Sequence, residues 1–565
     1  MPHHPTSSAA SPRALGLVAL LLVCFLPFQH VYTSDTVEQL ELAACLVDGG
    51  GFTCPGLGHW PPLLPLLTAM AHLVMPTPAA AARLVCAVAA ALASVFIGVT
   101  TERIARSLWG EPASTWTGRL ATLLCWTSPL VAFYGSMADN RALLLVGWAA
   151  CLAGSASLWQ HPSLRMAILT GAAAGLTSLA RQEGKAALML VLGGTVVRLV
   201  WPGEERRPRL KLVMAVVGGS ASIVLVYLAL MARVVGQATF DPRGWEMYLQ
   251  GWIQFLPLPM VLDLFGIGYH DTELRLRVRD ALVSGGLGME TSGGDRLRVF
   301  VGTWAAQLPL FLRELRVLFP GGVWAMAGLG LLATFRRIPL LCCVCLAFVS
   351  PLLLLPGLKQ SLSVFVPAAN FLFVVPTVAV FAGLGMGVLV QGLSGGRVYT
   401  GLARPTPAAS TLMWGSVALL AVGGVAWASK RALDLDMRWT VFESSHEARA
   451  AAVWLKENAP PHSRVVTSHP GAAITWEAGL ERIPLPSVWE LPGAIARWQK
   501  GPPTFVVMVQ TDLRDSTLSL EYLMLTHPEW CQPQWVLRGN GRDGVTICRV
   551  TPATAPPPSP SPSPG

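Results

Sequence analysis

The sequence predicts a polytopic α-helical membrane protein of about eleven transmembrane helices, with external juxtamembrane helices and a small C-terminal α/β soluble domain. Three observations carry that expectation. Of 565 residues, 53% are hydrophobic and only 13% are charged, with a mean hydropathy of +0.51, far from the balance of a water-soluble domain. Apolar runs long enough to cross a hydrocarbon core of about 30 Å recur along the chain. Lys and Arg gather in every second loop between those runs, as the positive-inside rule requires. The net charge of +9 therefore points to membrane topology. No basic stripe interleaved with aromatics accompanies it, which argues against a nucleic-acid partner.

The runs are centred on residues 14–31, 80–100, 116–133, 142–158, 166–180, 186–201, 212–234, 323–335, 340–356, 364–390 and 411–427. The first follows Arg13 but has no small-x-small cleavage site after Phe25, so it reads as an uncleaved helix rather than a signal peptide. The loops holding Arg103 and Arg106, then Arg165, then Arg206, Arg207, Arg209 and Lys211, then Arg336 and Arg337, then Arg397 and Arg404 are expected to be cytoplasmic, together with the N-terminus. The loops holding Asp35, Asp139, Glu183 and Lys359 are then external, and an odd number of spans sends the C-terminal domain outside as well.

Five regions follow from these shifts in composition: an N-terminal membrane block over 1–234 with an external loop at 34–78, an external amphipathic segment over 235–319, a second membrane block over 320–430, a soluble α/β domain over 440–552, and a Pro/Ser tail over 553–565. In the soluble domain, HEARAAAVWLKENAP places Ala448, Ala452, Trp454 and Leu455 on one helical face, while SRVVTS, TFVVMVQ and GVTICRV read as strands. Seven cysteines lie within spans, where a thiol behaves as a small hydrophobe. The other four form two loop pairs on the side assigned to oxidising surroundings, and disulfides Cys45–Cys54 and Cys531–Cys548 are expected.

The chemistry concentrates in the external loops. No Lys or Arg occurs between Arg13 and Arg83, while the first loop carries the four carboxylates Asp35, Glu38, Glu41 and Asp48. Carboxylates held at a membrane surface suit a general base or a metal ligand acting on a substrate anchored in lipid. Asp35-x-x-Glu38 is equally the pattern of a helix cap with its N3 carboxylate. His59 precedes Trp60-Pro61-Pro62 and the apolar run 63–74, at a boundary where a phosphate or an acceptor hydroxyl would meet it, and a purely structural histidine reads the same. Tyr134, Asp139, Asn140 and Arg141 lie in a short external turn, where Asp and Asn are also ordinary turn residues. Arg181, Gln182, Glu183 and Lys185 interrupt a hydrophobic hairpin. A snorkelling turn explains them, and so does phosphate binding, which Arg181 and the external Lys359 would serve.

SDTVEQLELAACLVDGG, then HWPPLLPLLTAMAHLV, then SPLVAFYGSMADN, then GAAAGLTSLARQEG, in this order, resemble the GT-C superfamily of polyprenyl-phosphate-sugar glycosyltransferases. The likeness covers roughly the first 235 residues and leans to the protein O-mannosyltransferase and lipid A aminoarabinose-transferase branch. No WWDYG-like sequence is present, which points away from the oligosaccharyltransferase branch. The resemblance implies an inverting enzyme that moves a sugar from a polyprenyl-phosphate donor to a lipid, glycan or protein acceptor on the outer face of a bacterial inner membrane. It implies Asp35 as catalytic base with Glu38 beside it, and matches Arg181 and Glu183 directly. The acid expected in the second external turn falls at Arg141 by spacing, two residues after Asp139. The remaining substrate-binding candidates are His59, Tyr134, Asp139, Asn140 and Lys359. No cofactor is required outright; a divalent metal, if one is used, would take Asp35 and Asp139. Membrane lipid is the surrounding partner. A transporter or flippase, or a non-catalytic assembly protein, would share the hydropathy, but the spans lack mid-span charges apart from Arg83 and Arg198 near their edges.

Overall fold

The computed structural model describes residues 34–49, 61–109, 111–181, 183–200, 206–235, 315–349 except 317, 372–393, 446–467, 471–484, 491–510, 530–538 and 544–551. The expected first and last spans, most of the 235–319 segment, His59, Lys359, Cys54 and the Pro/Ser tail lie outside them. The chain divides into two compact units, one of Met1–Gln29 with Leu42–Ala432, the other of His30–Glu41 with Leu433–Gly565.

The first unit is a helical bundle. Helix α1 (Ser34–Val47) enters it with its C-terminal half, and α2 (Leu63–His72), α3 (Pro78–Trp109), α4 (Glu111–Trp126), α5 (Pro129–Ser136), α6 (Arg141–Gln160), α7 (Leu164–Ala180), α8 (Gly184–Val200), α9 (Arg206–Val235), α10 (Gly321–Arg337), α11 (Pro339–Ala347) and α12 (Val375–Leu393) follow. Among the described residues, four segments are long and apolar enough to cross a membrane, Pro78–Trp109, Arg141–Gln160, Arg209–Leu230 and Leu372–Leu389, with Leu63–His72 and Leu164–Ala180 as shorter apolar helices. The described residues thus establish a multi-helix membrane bundle without establishing eleven spans. The run over 116–133 is two helices rather than one. Ser128 is extended and Pro129 opens α5 at its first position, where a missing N–H costs nothing and the ring would block continuation of α4. Arg119 is a charged residue that the reading of the spans passes over. It is buried in α4, its guanidinium 5.1 Å from the Trp116 ring.

Lipid offers no hydrophobic drive between helices, so close backbone approach has to hold them. Gly171 of α7 lies against Val216 of α9, and Gly219 of α9 against the Ile168 carbonyl. Gly147 and Gly154 of α6 receive Thr177 and Thr170 of α7. A Cβ on Gly330 of α10 would collide with the Phe381 carbonyl of α12, and one on Gly385 of α12 with the Met326 carbonyl. Between these seams the fully buried Trp148 of α6 meets Phe348 at 5.9 Å and Phe373 at 5.1 Å.

The two ends of the bundle differ in charge. At one, arginines meet the open carbonyls of helix C-termini: Arg198 donates to Leu158 O, Arg209 to Arg198 O at 3.1 Å and Arg337 to Leu108 O at 2.8 Å. Arg103 bonds Ser157 there, and Gln160 bonds Ser107 Oγ at 3.2 Å. The last turn of a helix carries unpaired carbonyls and a partial negative charge, which guanidinium groups satisfy.

The second unit holds a five-stranded sheet in the order β2-β1-β3-β5-β4, built from α13 (His446–Asn458), β1 (Arg464–Thr467), α14 (Ala472–Ala478), β2 (Glu481–Pro484), α15 (Leu491–Lys500), β3 (Thr504–Gln510), β4 (Cys531–Arg538) and β5 (Gly544–Val550). Strand β1 pairs in parallel with β2 and β3, while β5 runs antiparallel between β3 and β4. Ala448, Ala451, Ala452 and Leu455 of α13 pack on Val465, Phe505, Val507, Val545 and Ile547, with Trp454 partly buried against them. The alternate residues Val466, Val506, Met508, Cys548 and Val550 form the core on the opposite face, as strand pleating dictates.

The cysteines divide. Cys45 is disulfide-bonded, and its expected partner Cys54 is outside the described residues. The expected Cys531–Cys548 bond is not formed: Cys548 is a buried thiol. It stands across from Pro533, whereas Cys531 stands across from Val550, and its side chain belongs to the apolar layer of Val466, Val506 and Met508.

Substituting Gly330 or Gly385 by Val should lower the melting temperature of the detergent-solubilised protein, with a cost of about 1–3 kcal/mol from overpacking. Gly328→Ala, on the same helix with nothing within 4 Å of its added carbon, should melt with the wild type.

Candidate active site

At the bundle end opposite the C-terminal arginines, the chain between α5 and α6 is too short to carry its charges into water, and pairs them locally. Asp139 is 2% exposed. Its Oδ1 accepts the Arg141 backbone N–H at 2.8 Å and its Oδ2 the Arg141 guanidinium at 2.6 Å. One carboxylate therefore stabilises the first turn of α6 and neutralises the arginine that opens it. The same guanidinium sits 5.0 Å from the centroid of Tyr134, a buried ring packed edge-on against Phe133 at 5.0 Å. Cys86 Sγ donates to the Asp139 carbonyl at 3.2 Å. The layer beneath is apolar: Leu64, Cys86, Ala89, Ala142, Leu143 and Ala180 form one buried cluster.

Arg181, in the break between α7 and α8, joins this group. Its Nε and one terminal nitrogen donate to Glu183 Oε2 at 3.0 Å and Oε1 at 3.1 Å, and its other terminal nitrogen donates to Asn140 Oδ1 at 2.7 Å. Three of the five guanidinium N–H donors are committed by these bonds. Gly184 follows at the start of α8, and a Cβ there would strike the Thr177 carbonyl, so the tight reversal that presents Glu183 to Arg181 needs glycine. Tyr134, Asp139, Asn140, Arg181 and Glu183, all singled out in the sequence, thus form one network. The residue passed over is Arg141 as the partner of Asp139, for which the Asp-x-Arg spacing was the available signal.

The first-loop acids belong to the second unit. Asp35 lies inside the first turn of α1, which starts at Ser34, and its side chain lies outside the described residues. The helix begins before Asp35, so the capping pattern does not fit that position. Glu38 Oε1 accepts from Arg482 at 3.0 Å and Glu41 Oε2 accepts from the same guanidinium at 3.3 Å. Burial raises the Glu41 carboxyl above the usual carboxylate range; Arg482 opposes that rise and Glu38 adds to it. Val37, fully buried, packs on Ala472 and Ala473 of α14 with Trp476 alongside. His59 and Lys359 lie outside the described residues. Among the described residues, no group of three or more His, Cys, Asp or Glu side chains is placed to hold a metal ion, and both Asp139 oxygens are occupied by Arg141.

Asp139→Ala should destabilise the protein by about 3–5 kcal/mol, the cost of breaking a buried ion pair from one side. Reversible unfolding in mixed micelles measures it; an unchanged midpoint would show that the carboxylate has no role in stability.

No protein-family model and no curated protein sequence matches the chain. Solved structures do. ArnT from Cupriavidus metallidurans in the apo state superposes with a TM-score of 0.53 at 16% identity, covering 94% of this chain and 97% of that one. ArnT from the same organism bound to undecaprenyl phosphate gives 0.52 at 15% identity over the same shares. The archaeal oligosaccharyltransferase AglB from Archaeoglobus fulgidus, in complex with an inhibitory peptide and a dolichol-phosphate, gives 0.52 at 13% identity, covering 94% of this chain and 74% of that one. The two proteins score alike. The chain shares the fold of these two proteins over 94% of its length.

Proposed function

We propose that the protein is an integral-membrane glycosyltransferase of GT-C type, which moves a sugar from a polyprenyl-phosphate donor to an acceptor on the non-cytoplasmic face. The observation that carries this reading is the fold shared over 94% of the chain with ArnT, solved with undecaprenyl phosphate, and AglB, solved with a dolichol-phosphate. The arginines gathered on helix C-termini support a cytoplasmic assignment for that end. The Asp139–Arg141 and Arg181–Glu183 network then belongs to the outer leaflet, in a bacterial inner membrane on this reading.

Within the reaction, Asp35 takes the proton from an acceptor hydroxyl or amine. The acceptor oxygen or nitrogen then attacks the anomeric carbon from the face opposite the phosphate, and the configuration inverts. The C–O bond to phosphate breaks with its electron pair on the leaving phosphate, whose charge is met by the uncommitted N–H donors of Arg181 and by Lys359. The lipid tail never leaves the bilayer, so the cations need only hold the headgroup. Glu183 and Asn140 aim the Arg181 fork by holding three of its donors. Acceptor identity, whether lipid, glycan or protein, and any divalent metal bound through Asp35 are open to the same assay.

Transfer of a radiolabelled sugar from a polyprenyl-phosphate donor in proteoliposomes tests the reading. A positioned base contributes about 10²–10⁴ in rate. Asp35→Asn should therefore nearly abolish turnover at unchanged expression, and full activity in that variant would remove Asp35 from the mechanism. Movement of a lipid or solute across the bilayer without sugar transfer would instead establish a transporter or flippase.

A further inference from the structure

We infer that Arg482, on β2 of the C-terminal domain, is a positioning residue for sugar transfer, acting through Glu38 and Glu41 to fix the helix that carries Asp35. The inference rests on the glycosyltransferase reading above. Glu38 and Glu41 are three residues apart and so lie on one face of α1. A single guanidinium spans both, at 3.0 Å and 3.3 Å. Arg482 and Glu38 are 14% and 19% exposed in their side chains, so water screens this contact less than it would a surface pair.

The contact joins residues more than 440 positions apart in sequence. It is reinforced by Val37, which is fully buried against Ala472 and Ala473. Three positions of α1, 37, 38 and 41, are thereby tied to the sheet domain immediately after Asp35. Removing Arg482 takes the shared guanidinium from two like charges one turn apart, which loosens the helix. Glu38 accordingly serves the reaction as a clamp. Its carboxylate is engaged with Arg482, and proton removal falls to Asp35 alone. Lys at 482 keeps the charge but not the fork, since an ammonium is a point charge that cannot present two fixed edges.

Two readouts on the full-length protein in nanodiscs test this. Hydrogen–deuterium exchange over residues 34–41 should rise in Arg482→Gln and in the double variant Glu38→Gln/Glu41→Gln. The triple combination should add nothing to either. In the transfer assay, Arg482→Gln should lower kcat by up to about 10²-fold, the cost of a misplacement near 1 Å, with KM for the lipid donor unchanged. Arg482→Lys should recover part of kcat. Arg464→Gln, which breaks an exposed pair with Glu481 in the same sheet, is the control and should leave exchange and kcat at wild-type values.

Unchanged exchange in Arg482→Gln overturns the clamp. Raised exchange with unchanged kcat overturns the positioning role. Additive losses in the triple variant overturn the common route through Glu38 and Glu41. A wild-type protein inert with every lipid-phosphate sugar overturns the proposed function and the positioning role with it, while exchange still decides whether the clamp exists.

Discussion

A charge at the edge of hydrocarbon has to arrive with its counter-charge, because the desolvation cost of an isolated ion there exceeds what any single surface contact returns. That constraint organises the polar end of the first unit. Asp139 meets Arg141 two residues on, and Glu183 meets Arg181 two residues back. Asn140 then links the pairs through its bond to Arg181. The result is an electrically balanced network at the ends of α6, α7 and α8. Any phosphate held there is met by donors the network leaves over, so binding has to exploit direction more than bulk charge. A guanidinium with three of its donors engaged presents the remainder at fixed angles, which suits a tetrahedral anion tethered by a lipid tail.

The N-terminal half of α1 is held by contacts within the second unit. A helix of 14 residues is marginal by itself in water. What fixes α1 is tertiary: Val37 buried against α14 and two carboxylates on one arginine. The C-terminal sheet domain is therefore tied to the N-terminal half of this helix.

Helices α2, α3 and α6 to α10 were legible because a long apolar run bounded by charge or proline is a local signal. Three of the five strands were legible for a similar reason: RVVT, TFVVMVQ and GVTICRV are β-branched and apolar. Strand β2 reads ERIP, only four residues with two of them charged, and β4 carries Pro533 at a bulge. Edge position tolerates both sequences, and edge position is a tertiary fact. The break at Ser128-Pro129 was readable from the proline but was outweighed by continuous hydropathy across it. Among site residues, the polar turn at 139–141 and the pair Arg181 and Glu183 stood out because charge inside an apolar hairpin is anomalous. Arg482 did not, since an arginine in a soluble strand is ordinary until the fold carries Glu38 to it. The Cys531–Cys548 expectation failed for a related reason. Two cysteines on neighbouring strands are close in space, yet register decides which residues oppose, and here it sets Cys548 opposite Pro533.

An inverting displacement has to align three atoms: the attacking nucleophile, the anomeric carbon and the departing phosphate oxygen. Holding the phosphate fixes one end of that line. The other end depends on the base, and a base on a surface helix free to roll by one position would turn by about 100° and lose the proton it has to take. On the proposed reading, the value of the Arg482 contacts lies in orientation. Effective molarity in a well-aligned step is worth about 7–11 kcal/mol, far more than the ion pairs themselves. If the proposed positioning holds, a small cost in fixing Glu38 and Glu41 brings a large gain in rate, and a residue remote from the chemistry in sequence takes part in its geometry.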